Sequence, residues 1–399
     1  MAKVGIFVES FSAGGLRTFI KNFIISSNFN TKITFICNYE LKKNKDFNKI
    51  FSKRGNVKVI YYKILSIEKI SKKKAKILKL FYGIIFPLIF FNQILKLNKI
   101  FKKINLDNLM VVNGGYPGSE LCNAACISYN NLNPKNKIFI NFHNFVLRKN
   151  KDLLLNFYHN LVDLYLSKLP INFISVSKIC SRSLKFRKYL NKKKVKTIYN
   201  GFTELSVISN KKISLRKKYK LKKSNKILLM LAEYVDRKGF DFIFRVMQKL
   251  RYETPNFKLI IFGHGDIERY RKKIIEYKLS NFVFLNGYFS NNLSIIKQCD
   301  FLVIPSQRDE SFGFTAIEAM SQKKIIIACK TGGLSEVIKN NFSGFLIAPT
   351  NPNIFAKKII NINDNNELKK KMKKNAYLRY KSYFKASIMF KNYFNFFQR

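Results

Sequence analysis

Short runs of Ile, Val, Leu and Phe recur along the first half of the chain, separated by longer stretches with helical spacing. Residues 4–8, 33–37, 57–61, 109–112, 138–142, 173–176 and 195–198 are apolar without strict alternation. Continuous apolar runs of that length are expected of strands buried on both faces of a parallel sheet. Residues 16–25 and 153–169 read as helices between them, and the βαβ rhythm predicts a doubly wound sheet. The rhythm breaks at the polar stretch 203–213, which reads as a linker. It then restarts, with strands expected at 227–231, 257–262, 283–285, 301–304, 325–328 and 344–347. Helices are expected near 240–250, 267–278, 293–297 and 314–321. Two Rossmann-like α/β domains are therefore predicted, at 1–202 and 214–381. Residues 382–399, rich in Phe and Tyr, are expected to form a terminal helix packed back on the body. Tandem domains of this kind create a cleft, a favoured place for ligands.

A length of 399 residues suits two domains. The net charge of +52, from 75 basic against 23 acidic residues, changes the picture more. Lys, Asn, Ile and Phe are abundant together and Trp is absent, a skew that AT-rich codons produce, so much of the charge is compositional. A surface this basic still attracts phosphates. The runs 72–74, 192–194 and 369–374 read as solvated faces. They are not interleaved with aromatics, so no nucleic-acid partner is expected, and a basic nucleic-acid-binding protein stands as the alternative class. Six scattered cysteines without metal spacing, and a first strand beginning almost at Met1, predict a cytoplasmic protein without a signal peptide.

Residues 80–91 form an uncharged run, too short to span a bilayer, flanked by Lys72, Lys73, Lys74, Lys76 and Lys79 before it and Lys96, Lys99, Lys102 and Lys103 after it. Two readings are open. One is a buried helix kinked at Pro87. The other is an interfacial element making peripheral contact with an anionic membrane on the inner face of the cytoplasmic membrane, with Ile84, Ile85, Phe86 and Ile89 facing lipid.

The densest candidate chemistry lies at 299–321. A buried strand ends at Pro305, a polar loop follows, and a helix begins near Phe314. Ligands of open α/β sheets bind beyond the carboxyl ends of strands. The loop Ser311-Phe312-Gly313-Phe314 brings backbone N–H groups to a helix N-terminus, which suits a diphosphate. Glu310 and Glu318 flank that turn, and carboxylates accept paired hydrogen bonds from vicinal hydroxyls of a sugar. Gly14-Gly15, after the first strand, permit close backbone approach by a ligand.

Glu310 and Glu318, with the surrounding loop and helix, resemble the Glu-x7-Glu motif of the family 4 glycosyltransferases, retaining enzymes of the GT-B fold. The resemblance extends in order along nearly the whole chain. Gly14-Gly15-Leu16-Arg17 resembles the family's glycine-rich loop, and His143 matches a histidine of the cleft. Arg237-Lys238-Gly239 matches a Lys-Gly in which Lys238 neutralises the diphosphate, and Gly263-His264-Gly265 matches a Gly-x-Gly that shapes the base pocket. Val176-Ser177-Lys178, Tyr199-Asn200-Gly201, Gly332-Gly333 and Ser343-Gly344 match landmarks read as turns.

The resemblance implies a GT-B fold, two Rossmann-like doubly wound domains facing across a cleft. It implies a retaining transfer from a UDP- or GDP-sugar to a glycan or lipid-linked acceptor in surface polysaccharide or lipopolysaccharide assembly. Glu310, His143 and Lys238 would be catalytic. Gly14, Gly15, Arg237, Lys238, Gly263, Ser311, Phe312, Gly313, Phe314 and Glu318 would bind the donor. No metal or further cofactor is expected: Asp-x-Asp is absent, and His143, His159 and His264 lack ligand spacing. A sugar phosphorylase or nucleotide-sugar epimerase of the same fold is the nearer alternative. One position departs from the family. Glu233 stands where most members carry an arginine, leaving Arg237 or Arg17 to supply that charge.

Overall fold

The computed structural model describes residues 2–9, 14–27, 31–51, 55–64, 66, 75–146, 153–206 and 212–398. They fall into two compact units, Met1–Tyr199 with Met389–Arg399, and Asn200–Ile388. The change of unit near Tyr199 comes just before the polar stretch, and most of the terminal segment counts with the first unit.

In the first unit seven strands form one sheet: β1 (Ala2–Val8), β2 (Thr31–Asn38), β3 (Val57–Tyr62), β4 (Asn108–Asn113), β5 (Lys137–Phe142), β6 (Ile171–Ser175) and β7 (Val195–Thr197). Their order is β3-β2-β1-β4-β5-β6-β7, with every neighbour parallel. Burial on both faces explains the missing alternation: all six residues of β4 are buried. The aromatic tail forms the helix Ala386–Gln398. Tyr393 is fully buried, packs on Phe19 and Phe23, and its hydroxyl accepts a 2.9 Å hydrogen bond from Asn141 Nδ2, while Phe397 packs on Phe139.

The uncharged run 80–91 lies inside a much longer helix, Ala75–Phe101, which continues through Pro87. Phe86 is buried against Tyr158 and His159 of the helix Leu153–Lys168. It therefore belongs to the packed side of its helix, as the buried-helix reading has it, and is not among the residues that the interfacial reading would turn to lipid.

The second unit carries β8 (Lys226–Leu231), β9 (Phe257–Phe262), β10 (Val283–Asn286), β11 (Phe301–Ile304), β12 (Ile325–Cys329) and β13 (Phe345–Ile347). Their order is β10-β9-β8-β11-β12-β13, again all parallel. Counted within the unit this is 3-2-1-4-5-6, the Rossmann order, and the topological switch point lies between β8 and β11. The helix Phe240–Glu253 lays Phe240, Ile243, Phe244 and Met247 onto the sheet, and the helix Pro352–Asp364 adds Phe355 and Ile359 to the same core. That second helix, and Asn366–Arg379 after it, have no counterpart among the elements expected from the sequence.

Replacing Tyr393 with Phe leaves Asn141 Nδ2 buried with only the weak acceptor Met110 Sδ, at 3.9 Å, which costs about 1–3 kcal/mol. A lower unfolding midpoint for Tyr393→Phe, read by near-UV dichroism, is the expected outcome; an unchanged midpoint would show that this hydrogen bond adds nothing to the first unit.

Candidate functional site

Two loops of the second unit leave the carboxyl ends of the strands that bound its switch point. After β8 the chain makes a short turn, Asp236–Lys238, and enters the helix Phe240–Glu253 through Gly239. Gly239 has a φ of 81°, and a Cβ there would lie 2.0 Å from the Pro305 carbonyl oxygen beyond β11. Only glycine satisfies both the backbone and the space. The two loops are also tied by Gln307 N–H, which donates to the Arg237 carbonyl at 2.8 Å.

This close approach brings Lys238 to Glu310. Lys238 Nζ lies 2.6 Å from Glu310 Oε2, and Ser306 Oγ donates to the same oxygen at 2.9 Å. Burial by itself pushes the Glu310 carboxyl up, but the Lys238 charge, hydrogen bonds from Lys238 and Ser306, and the nearby Arg237 charge outweigh it, so its pKa is lowered. The carboxylate stays ionised and accepting. Ser306, held in turn by Thr331 Oγ1 donating to its carbonyl, was not among the residues singled out from the sequence. Its one signal there is its place directly after the Pro that ends β11.

Glu310 is also held from behind. A Cβ on Gly332 would lie 2.0 Å from the Glu310 carbonyl oxygen, and one on Gly333 would lie 2.3 Å from that of Ser311. Gly333 N–H donates to Glu310 O at 2.7 Å. The Gly-Gly pair is thus a seat for the Glu310 loop as well as a turn.

The loop runs through Ser311 and the buried Phe312 to Gly313, whose φ of 109° starts the helix Phe314–Ser321. No side chain caps this N-terminus. Uncapped first-turn amides and the helix dipole favour an anion there. Glu318 sits on the buried side of the same helix, where Asn292 Nδ2 donates to its Oε2 at 3.4 Å. The structure therefore brings Glu310, Lys238 and Ser306 together, and gives Glu318 a separate partner that the sequence reading had not named.

Arg237 makes a 3.3 Å ion pair with Glu233, and His264 Nε2 lies 3.9 Å from the other oxygen of that carboxylate. The carboxylate standing at the family's arginine position therefore offsets part of the Arg237 charge. Gly263 packs directly on the β8 loop, since a Cβ would meet Ala232 O at 1.8 Å, and Tyr234 N–H donates to His264 O.

In the first unit Gly14 caps the helix Gly15–Ser26 with φ 121° and ψ −161°, and among the described residues beyond its chain neighbours none lies within 4 Å of where its Cβ would be. Gly15 is exposed beside it. His143 follows β5, its ring 4.3 Å from that of Phe19 on the same helix. Both of its ring nitrogens are buried with no hydrogen-bond partner among the described residues, and burial lowers its pKa to about 3. A neutral imidazole with two unsatisfied nitrogens is costly to leave dry. Among the described residues, no group of three or more His, Cys, Asp or Glu is placed to hold a metal ion.

The chain, with its two Rossmann-like parallel sheets, has the GT-B fold, and the whole of it superposes on a protein of Anabaena solved in complex with UDP. The TM-score is 0.73 at 15% identity, over 99% of each chain. Residues 211–379, most of the second unit, match the family described as Glycosyl transferases group 1. An uncharacterized glycosyltransferase of Methanocaldococcus jannaschii is 32% identical over 172 residues, 41% of this chain and 43% of that one. The lipopolysaccharide 1,2-N-acetylglucosaminetransferase of Salmonella typhimurium is 25% identical over 39% of this chain and 43% of its own length. These alignments span less than half of either relative.

A histidine kept neutral by burial takes up its proton more readily unfolded, near pH 6.5, than folded, near pH 3. Between those values the unfolded chain binds more protons, so stability is lost as pH falls, by up to about 1.4 kcal/mol per pH unit. Chemical denaturation from pH 6.5 to 4.5 should show a shallower loss in His143→Gln than in the native sequence. Equal slopes would mean that His143 is not held neutral.

Proposed function

We propose that the chain is a retaining glycosyltransferase that moves a sugar from a nucleoside-diphosphate sugar to a glycan or lipid-linked acceptor in surface polysaccharide or lipopolysaccharide assembly. The Lys238–Glu310 pair at the switch point, ahead of an uncapped helix N-terminus, is the observation that carries this reading. In it the second unit holds the donor. Lys238 and the first-turn amides of the Phe314–Ser321 helix meet the diphosphate charge without a metal. Glu310, ionised and fixed by Ser306, accepts hydrogen bonds from hydroxyls of the transferred sugar. Glu318 accepts them from the ribose. The first unit takes the acceptor, with the Gly14-Gly15 turn open to a ligand and His143 as a neutral donor or acceptor for a hydroxyl.

The anomeric carbon–oxygen bond to the diphosphate breaks as the acceptor oxygen bonds to that carbon. The acceptor proton passes to the departing diphosphate on the same face, so configuration is retained. Lys238 and the amides stabilise the negative charge that develops on the leaving group, a preorganised electrostatic contribution. The six cysteines are all buried and free, which suits a reducing compartment and supports a cytoplasmic site of action. The Salmonella relative, named for lipopolysaccharide, and the Anabaena structure with UDP support the acceptor class and the donor class respectively.

Glu310→Gln and Glu318→Gln keep shape and hydrogen-bonding capacity while removing charge. In a panel of UDP- and GDP-sugars, assayed without divalent cation, each should lower turnover by about 100-fold or more. Glu310→Gln should also lower the unfolding midpoint, because Lys238 is left half-buried without its partner. Full turnover in either variant would remove that residue from the reaction.

A further inference from the structure

The Ala75–Phe101 helix is apolar on two opposite sides. Phe86, Gln93, Leu97 and Phe101 are buried; Gln93 Nε2 reaches Glu120, and Asn98 receives a hydrogen bond from Ser128. That side is anchored in the first unit. At helical spacing on the other side stand Ile84, Leu88, Phe91 and Leu95, with Leu88 74% exposed. The neighbouring Leu153–Lys168 helix repeats the pattern. Leu155, Asp163 and Leu166 are buried, whereas Leu153, Phe157, Leu161 and Tyr165 are exposed, Leu153 at 84%. The two helices touch through Phe86 with Tyr158 and His159, so both exposed apolar stripes belong to neighbouring helices of one unit.

The window Ile84–Phe101 has the length and apolarity of a membrane span, yet its other side is bonded into the unit. A helix apolar all round with one side already packed needs a second apolar environment, and this one can lie on a bilayer but not cross it. The charge pattern selects the partner. Neither helix has an exposed carboxylate: the first contains no acidic residue, and Asp163, the single acid of the second, is buried against Arg187 and Tyr116. Lysines close both stripes, with Lys96, Lys99, Lys102 and Lys103 exposed at the end of one and Lys168 at the end of the other. A second copy of a chain carrying +52 is repelled, whereas anionic headgroups are attracted.

We propose that the paired faces of the Ala75–Phe101 and Leu153–Lys168 helices form one docking surface for an anionic lipid bilayer. Exposed apolar side chains enter the headgroup–acyl boundary, and the terminal lysines hold the phosphates. The sequence pointed to residues 80–91 alone, with Ile84, Ile85, Phe86 and Ile89 toward lipid; the stripe through Leu88, Phe91 and Leu95, and the second helix, come from the packing. The inference is independent of the transfer reaction, because binding needs neither donor nor acceptor.

The test is flotation of the full chain with phosphatidylcholine vesicles, with and without phosphatidylglycerol. The native protein should float only with the anionic vesicles and be partly released by salt. Leu88→Glu with Phe91→Glu, and separately Phe157→Glu with Leu161→Glu, should each reduce binding about tenfold or more while leaving the melting temperature near its native value. Tyr252→Glu, an exposed aromatic of the second unit, should float like the native chain. Lys99→Gln with Lys102→Gln, which leaves the apolar stripe intact, should weaken binding to anionic vesicles and so decides the matter if a glutamate variant misfolds. Native protein that stays at the bottom of the gradient overturns the proposal. So does equal flotation of all variants, or a native oligomer that does not float and that the glutamate variants dissociate.

Discussion

Glycine sits where two loops must pass closer than any side chain allows, and the candidate site depends on that closeness. Gly239 meets the Pro305 carbonyl, while Gly332 and Gly333 meet the carbonyls of Glu310 and Ser311. Together they set the loop after β11 against the loop after β8 and behind it against the turn after β12. The 2.6 Å contact between Lys238 and Glu310 follows from this backbone packing. Desolvating two charges costs more than a surface pair would recover. The structure offsets that cost with Ser306, with the nearby Arg237 charge and with partial access to solvent. Such a pair is a poor device for stability alone and a good one for holding an ionised carboxylate and an ammonium ready at a strand end.

The same loop sets the start of the next helix. Gly313, with its positive φ, turns the chain so that the Phe314–Ser321 helix begins without a side-chain cap, and Glu318 follows on its buried side. Anion-favouring amides, a cationic side chain and two carboxylates thus come from about eighty residues of sequence folded around one switch point. In the first unit the balance differs. His143 is buried and neutral, with neither ring nitrogen hydrogen-bonded among the described residues, and among them none beyond its chain neighbours closes over Gly14. The charged candidate groups Lys238, Glu310 and Glu318 lie in the second unit, and those of the first are a neutral imidazole and a glycine turn.

Much of the strand framework could be read from the chain, because strands buried on both faces leave unbroken runs such as Leu-Met-Val-Val in β4. Glu310, Gly313 and Glu318 stood out as candidates because loop chemistry at a strand end is local, and Lys238 through the resemblance; the structure sets Lys238 against Glu310. Their partners were not. Ser306 and Asn292 contribute through contacts made by folding, and a serine or asparagine leaves no mark on periodicity. The Asn366–Arg379 helix is so rich in lysine that it reads as a solvated run, yet it buries Met372 and Ala376. Phe86 lay in a segment with two open readings. Within a helix apolar all round, sequence cannot say which side is packed; the contact with Tyr158 can.

The central claim is that Lys238, held by Glu310, receives a nucleoside diphosphate. The direct measurement is isothermal titration of UDP and of GDP into the native protein and into Lys238→Met, with circular dichroism to confirm that both are folded. The account predicts that one of the two nucleotides binds the native chain and that Lys238→Met binds it about tenfold or more weakly, the loss of a charge-assisted contact of roughly 1.5–3 kcal/mol. Equal affinity in the folded variant, or no binding of either nucleotide to the native protein, would contradict it.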